Sequence, residues 1–307
     1  MDIRHCTYHH IDKRRWDDCI SRSANRLIYA ESVYLDHMSP GWEALIADDY
    51  RAVMPLCRKK KWGIDYLYQP PFIQQLGIFS EETIDLDLAH AMILKMTGIV
   101  RFAEITLNHA NSGISGIEGL RTTARNNFIL SLQKKYEERA EGFNSYIRQR
   151  YNKASKNDIE YRSSTDVGRA VSLYKNLYQK KLPAFTDDAY EQFEKLCRVY
   201  QEQGRVIIRE VVRGGTTDTL ALVLLLSDGQ RLYNMASSLN PEGKKLLANY
   251  HLFHELIREF SGSGLLLDFE GSDNPGIAFF YEKMADGNQP YPFLRYNRLP
   301  WPIRWLK

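Results

Sequence analysis

Residues 206–212 (VIIREVV) and 220–226 (LALVLLL) are aliphatic runs, and 231–237 (RLYNMAS) is a more polar third run. Gly214-Gly215 and Asp228-Gly229 stand between them. Strand-length runs rich in Val, Ile and Leu and bounded by such pairs form an antiparallel meander, because the glycines accept the backbone of a tight reversal. A polar loop, 240–245, then leads to Ala248, Leu252, Phe253, Leu256, Ile257 and Phe260 at helical spacing. Gly262 and Gly264 close that helix, and 265–269 (LLLDF) reads as a buried strand. Two helices, at about 167–179 and 187–203, precede the meander. After it, Asn274 as a cap and Pro275 at the first helical position predict a helix to Ala285.

The first half of the chain repeats the order strand, loop, helix, strand. Residues 63–79 are aromatic and β-branched but broken by Pro70 and Pro71, so they read as a strand leaving into a loop. Leu88, Ala89, Met92, Ile93 and Met96 then mark a helix with Gly98 as its C-cap, and 100–107 reads as a strand. Residues 126–132 (NNFILSL) read as a strand closing the first domain, and a helix over about 135–156 as the bridge to the second. The expectation is an α/β protein with domains at 1–134 and 135–307. Mixed α/β proteins use such units widely, so order alone leaves open whether the halves are homologous.

Composition removes several classes. A hydrophobic share of 44% over 307 residues excludes disorder and collagen and supplies a real core. Cys6, Cys19, Cys57 and Cys197 contain no C-x-x-C, which argues against a disulfide framework or a zinc ribbon and fits reduced thiols in the cytoplasm. The longest aliphatic stretch, 220–226, is far short of the ~20 residues that cross a bilayer, and the N-terminus has no signal-peptide apolar core. A formal charge of +3 makes no case for nucleic acid by itself.

The corner Asp268-Phe269-Glu270-Gly271, followed by Asn274 and then Tyr281-Glu282-Lys283 seven residues on, resembles the last strand and helix of GNAT-type acyltransferases. Upstream, 233–238 (YNMASS) and Asn249-Tyr250 entering a helix are similar to the second domain of FemAB-like proteins, which are tandem GNAT folds. Leu130-Ser131-Leu132, Tyr146-Ile147-Arg148 and Lys153-Ala154 resemble their inter-domain helix and the strand before it. The resemblance implies two tandem GNAT-like domains with mixed sheets flanked by helices, and an N-acyltransferase. The donor would be acyl-coenzyme A or aminoacyl-tRNA and the acceptor a primary amine, with no metal and no permanently bound cofactor. One departure stands out: the usual coenzyme A loop, Gln/Arg-x-x-Gly-x-Gly/Ala, is replaced by 240–248 (NPEGKKLLA). Gly243 with Lys244 and Lys245 would then be what remains to hold a phosphate.

Direct acyl transfer to an amine needs a backbone N–H to polarise the carbonyl, a base for the amine and an acid for the leaving group. By the resemblance these are the backbone near Met235 and Ala236, Glu270 and Tyr281. Each has a plainer reading: Glu270 or Asp268 as a cap or ion-pair partner, and Tyr281 as core beside Phe279 and Phe280. Asn249 and Tyr250 either orient an acceptor or cap and pack. On the bridging helix, Phe143, Tyr146, Ile147, Tyr151 and Ala154 share one face, while Arg148, Asn152 and Lys156, with Lys153 beside them, form a basic rail for tRNA or a solvated surface. Arg58-Lys59-Lys60-Lys61 reads as an exposed turn that would steer a polyanion. His251, His254 and Glu255 lack both the H-E-x-x-H order and a third ligand. The tail from Pro290, ending at Trp301 to Lys307, either packs back onto a domain or makes peripheral membrane contact. The alternative to an enzyme is a catalytically silent binding module for RNA or an anionic partner.

Overall fold

The computed structural model describes residues 1–182, 184–270, 274–301 and 304. The chain forms two compact units. The first comprises Met1–Asn126 with Pro290–Lys307, and the second is Asn127–Gln289.

In the first unit the elements are β1 (Ile3–Cys6), α1 (Lys13–Arg22), α2 (Ser32–Met38), β2 (Glu43–Ala47), β3 (Ala52–Leu56), β4 (Arg58–Lys61), β5 (Ile64–Leu67), β6 (Phe79–Ser80), α3 (Leu86–Ile99), β7 (Phe102–Thr106) and β8 (Leu120–Arg125). One sheet has the order β1-β2-β3-β6. The other runs β4-β5-β7, then the C-terminal strand Tyr291–Asn297, then β8. Strands β5 and β7 are parallel, as a strand, loop, helix, strand unit requires. Leu88, Met92, Ile93 and Met96 of α3 are buried in a core shared with β2, β3 and β7. Gly98 lies inside α3 rather than capping it, because the helix runs on to Ile99, which packs against that core.

The second unit holds β9 (Phe128–Ser131), α4 (Tyr136–Gly142), α5 (Ser145–Ala154), β10 (Ile159–Ser164), α6 (Val167–Tyr178), α7 (Asp187–Glu202), β11 (Val206–Arg213), β12 (Thr219–Ser227), β13 (Arg231–Leu239), α8 (Pro241–Lys245), α9 (Ala248–Phe260), β14 (Leu266–Asp268), α10 (Pro275–Met284) and β15 (Gly287–Asn288); the returning strand Tyr291–Asn297 is β16. Its seven-stranded sheet has the order β10-β11-β12-β13-β14-β9-β15. The meander β11-β12-β13 is antiparallel as read, and Gly215 and Gly229 take positive φ in its turns. Helix α9 presents Leu252, Phe253, Leu256 and Ile257 to the core.

Three expectations are corrected. Residues 126–132 do not close the first domain: β9 pairs with β14, Leu130 opposite Leu267, and buries Leu130 in the second core. The bridging helix over 135–156 is two helices, broken where Phe143 turns extended to bury its ring and Asn144 caps α5 by accepting the Tyr146 N–H at 2.9 Å. The compact units also divide at 126/127 rather than 134/135, and the tail is not part of the second: β16 inserts between β7 and β8. Trp301 is exposed, and 302, 303 and 305–307 of the expected membrane contact lie outside the described residues. Among the described residues no helix is long and apolar enough to cross a membrane.

Candidate active site

Strands β13 and β14 pair only through Arg231 with Leu266, Leu232 with Leu267 and Tyr233 with Asp268. There β14 ends, whereas β13 continues to Leu239. Beyond Tyr233 that edge of β13 has no strand beside it among the described residues. On the other edge Leu225 faces Asn234 and Leu224 faces Ala236, which leaves Met235 as the extra residue of a β-bulge. A bulge bends its strand and raises the local twist. The parallel pair therefore opens with Asn234, Met235 and Ala236 on one arm and Phe269 and Glu270 on the other.

Side chains cross-link this opening. Asn234 Nδ2 donates to Phe269 O at 3.1 Å and to the Tyr281 hydroxyl oxygen at 2.7 Å, while Asn234 Oδ1 accepts from Ser237 Oγ at 2.7 Å. A carbonyl only accepts, so the contact with Phe269 identifies the nitrogen end of the amide. Tyr281 accepts from Asn234 and so keeps its own proton to donate. Its ring is core, as the plainer reading has it, stacked on Phe269 at 4.8 Å and edge-on to Phe253. Burial pushes the Tyr281 hydroxyl up to about 12 against the hydrogen bonds of Ser237 and Asn234, and Tyr178 and Glu270 push the same way.

Glu270 leaves β14 with a left-handed backbone, φ 49°, which costs a non-glycine residue about 1–2 kcal/mol. Asp268 holds it there. Asp268 Oδ1 accepts the Glu270 N–H at 3.2 Å, and Oδ2 takes Arg231 Nη1 at 2.6 Å and Asn127 Nδ2 at 3.1 Å. Asp268 is thus the structural acid, paired to an arginine, and Glu270 is the one carried past the strand end. The Glu270 residue is half-buried with Oε1 enclosed, and burial holds its carboxyl well above the usual carboxylate range. Gly271 lies outside the described residues. Downstream, Asn274 caps α10 by accepting the N–H groups of Gly276 and Ile277, as its sequence context predicts, and α10 places Tyr281.

The Gly243 N–H is engaged within the chain. It donates to Asn240 Oδ1 at 2.6 Å, and a Cβ on Gly243 would stand 2.2 Å from Leu220 O, so the glycine is a close-packing position. Gly243→Ala should lower stability by about 1–3 kcal/mol, measured by urea unfolding. Lys244 and Lys245 are exposed on the short helix α8, and Asn249 is half-buried in the first turn of α9. Tyr250 meets Tyr146 hydroxyl to hydroxyl at 3.3 Å. Arg148, Lys153 and Lys156 are all exposed on or just beyond α5, away from its buried Ile147 and Ala154.

His251 and His254 stack on the Tyr151 ring. Beside them Glu255 accepts from the Tyr151 hydroxyl at 2.6 Å and pairs with Arg258 at 2.8 Å. Among the described residues no group of three His, Cys, Asp or Glu is placed to hold a metal.

Asn234 and Ser237 were not singled out as site residues from the sequence. The available signal was an amide in the third strand of the meander, since a buried amide requires partners.

The opening beside β13 thus brings together a bulged strand edge, a carboxyl at a strand end and a helix-borne tyrosine. Residues 142–279 match the acetyltransferase (GNAT) domain family. The whole chain has the tandem GNAT fold of FemX, with 13% identity, coverage of 100% of this chain and 99% of that one, and a TM-score of 0.63. It is also similar to the C-terminal domain of a putative lysylphosphatidylglycerol synthetase from Agrobacterium fabrum (11% identity, 96% and 94% coverage, TM-score 0.55). L-PGS from Bacillus licheniformis is a further structural relative (11%, 89% and 90%, 0.52). At these identities the likeness is one of fold. No curated protein sequence matches the chain.

Proposed function

We propose that the chain is an N-acyltransferase that moves an acyl or aminoacyl group from acyl-coenzyme A or aminoacyl-tRNA directly onto a primary amine. The observation that carries this reading is the convergence, at one strand opening, of the β13 edge near Met235 and Ala236, which pairs with no strand among the described residues, the Glu270 carboxyl and the Tyr281 hydroxyl. The donor carbonyl lies against the β13 edge, whose N–H groups stabilise the oxygen as charge develops. The amine nitrogen bonds to the carbonyl carbon, and Glu270 takes its proton. The bond to the thioester sulfur or ester oxygen breaks as Tyr281 protonates that atom, and the proton on Glu270 returns to Tyr281 through solvent. Asn249 orients the acceptor. Lys244 and Lys245 meet donor phosphate through side chains only, Arg148 and Lys153 serve a tRNA donor, and such donors go with a cytoplasmic location.

Thermal melting against coenzyme A, acetyl- and long-chain acyl-coenzyme A and charged tRNA tests the donor. At 100 times its dissociation constant a ligand stabilises by about 2.7 kcal/mol, so one donor class should raise the melting temperature by several degrees. Silence across the panel would overturn the reading. It would favour a catalytically silent module for RNA, which the involvement of the Gly243 N–H in a helix cap and the exposed cations of α5 support. In that case, removing Arg148, Lys153 and Lys156 should lower the slope of log affinity against log salt by about 2–3.

A further inference from the structure

Strands β4 and β5 form a hairpin whose two-residue turn is Trp62-Gly63, with φ 52° and 78°. Positive φ at both central positions defines the turn type that takes Asn-Gly by default, because a bulky side chain is disfavoured there. A tryptophan occupies it nonetheless, 81% exposed, and the aromatic ring has Lys61 Nζ 4.7 Å from its centroid. Behind it β4 is the outer strand of its sheet and carries Lys59, Lys60 and Lys61. Arg58 is engaged with Glu43 at 2.5 Å and Asp65 at 2.9 Å, whereas among the described residues the three lysines form no ion pair. Lysines on an edge strand also prevent edge-to-edge pairing, which accounts for the lysines but not for the tryptophan.

We propose that this hairpin is an interfacial anchor that seats the first unit on an anionic lipid bilayer. The amphipathic indole favours the headgroup level, and lysines set back from it are complementary to anionic headgroups. Ile64, directly across from Lys61, adds apolar surface next to the turn. A single-stranded nucleic acid would also use cations and an aromatic ring. It stacks on an open ring face, however, and here Lys61 stands over the ring of a residue at a hairpin tip. The proposal does not rest on the acyltransferase reading, so either can fail alone.

The test is co-sedimentation of the full chain with phosphatidylcholine vesicles with and without phosphatidylglycerol. Two variants are compared: Trp62→Asn, whose new residue suits the turn, and the combined Lys59→Gln, Lys60→Gln, Lys61→Gln. Partition onto the anionic vesicles should fall with added salt. It should weaken on the order of 100-fold in the lysine variant and about tenfold in Trp62→Asn. Brominated lipids should quench part of the tryptophan emission in the parent chain, and Trp62→Asn should lose that part. Equal partition of parent and variants would overturn the proposal, as would Trp62-dependent binding to single-stranded RNA without vesicle binding.

Discussion

Replacing Glu270 by Gln should lower turnover at neutral pH by about 10²–10³-fold, with little change in donor affinity, and should make the fold more stable. A positioned base contributes roughly 10²–10⁴ to a proton transfer, and the amide keeps the volume while removing the basicity. The pH dependence separates this role from a structural one. Because burial holds the Glu270 carboxyl well above the usual carboxylate range, the rate should rise with pH along a limb displaced upward from ordinary glutamates. That limb should vanish in the variant. Stability carries the opposite sign. Between the ordinary carboxylate pKa and its raised value, the folded chain holds a proton that the unfolded chain has released, so the parent loses stability as pH rises through that window. Gln has no such slope. The variant should therefore be the more stable of the two at the alkaline end, and the gap should close toward acid pH, in urea titrations at several pH values. Unchanged turnover would remove Glu270 from the mechanism.

Asp268→Ala should cost about 3–5 kcal/mol, the largest stability loss expected of a single change here. Asp268 is 1% exposed and Arg231 is buried beside it, their charged atoms 2.6 Å apart. Removing one partner leaves the other charge buried without compensation. Arg231 would keep its bond to Gln289 Oε1 at 3.0 Å and the Tyr233 ring at 5.8 Å but lose its directly bonded carboxylate, and Asn127 Nδ2 would lose the Asp268 oxygen. A double variant, Arg231→Met with Asp268→Leu, should recover much of the loss, because well-packed apolar groups replace buried ion pairs at little cost. Activity should not recover with stability. Asp268 Oδ1 also takes the N–H of Glu270, and removing it takes away a hydrogen bond to the left-handed backbone that presents Glu270. Equal recovery of stability and turnover in the double variant would show that Asp268 does not position Glu270.

How far the site was legible differs by residue. Asn274, Pro275 and the Tyr281-Glu282-Lys283 triplet belong to one helix, and local rules for capping and spacing place them. Glu270 was legible as a residue past a buried strand. Asn234 was not, because its partners, Phe269 and Tyr281, lie 35 and 47 residues away in the chain and no local pattern joins them. The packing role of Gly243 was hidden for the same kind of reason. A glycine before two lysines suggests a phosphate cradle, and the carbonyl of Leu220 against it shows only in the tertiary structure.

By itself the sequence determined the elements whose signals are local: the meander with its glycine turns, helix α9 with its apolar stripe, the strand before Glu270 and the capped helix after it. Period, turn chemistry and capping act over a few residues, and each is stated in the residues themselves. Only the tertiary structure decided which sheet a strand joins. Residues 128–131 and 291–297 are short strands whose composition suits either unit, and each was assigned by the partner edge left open to it, β14 in one case and β7 with β8 in the other. The same holds for the opening between β13 and β14. A bulge opposite Leu224 and Leu225 and a parallel partner that stops at Asp268 are properties of pairing, and pairing is settled between segments far apart in the chain.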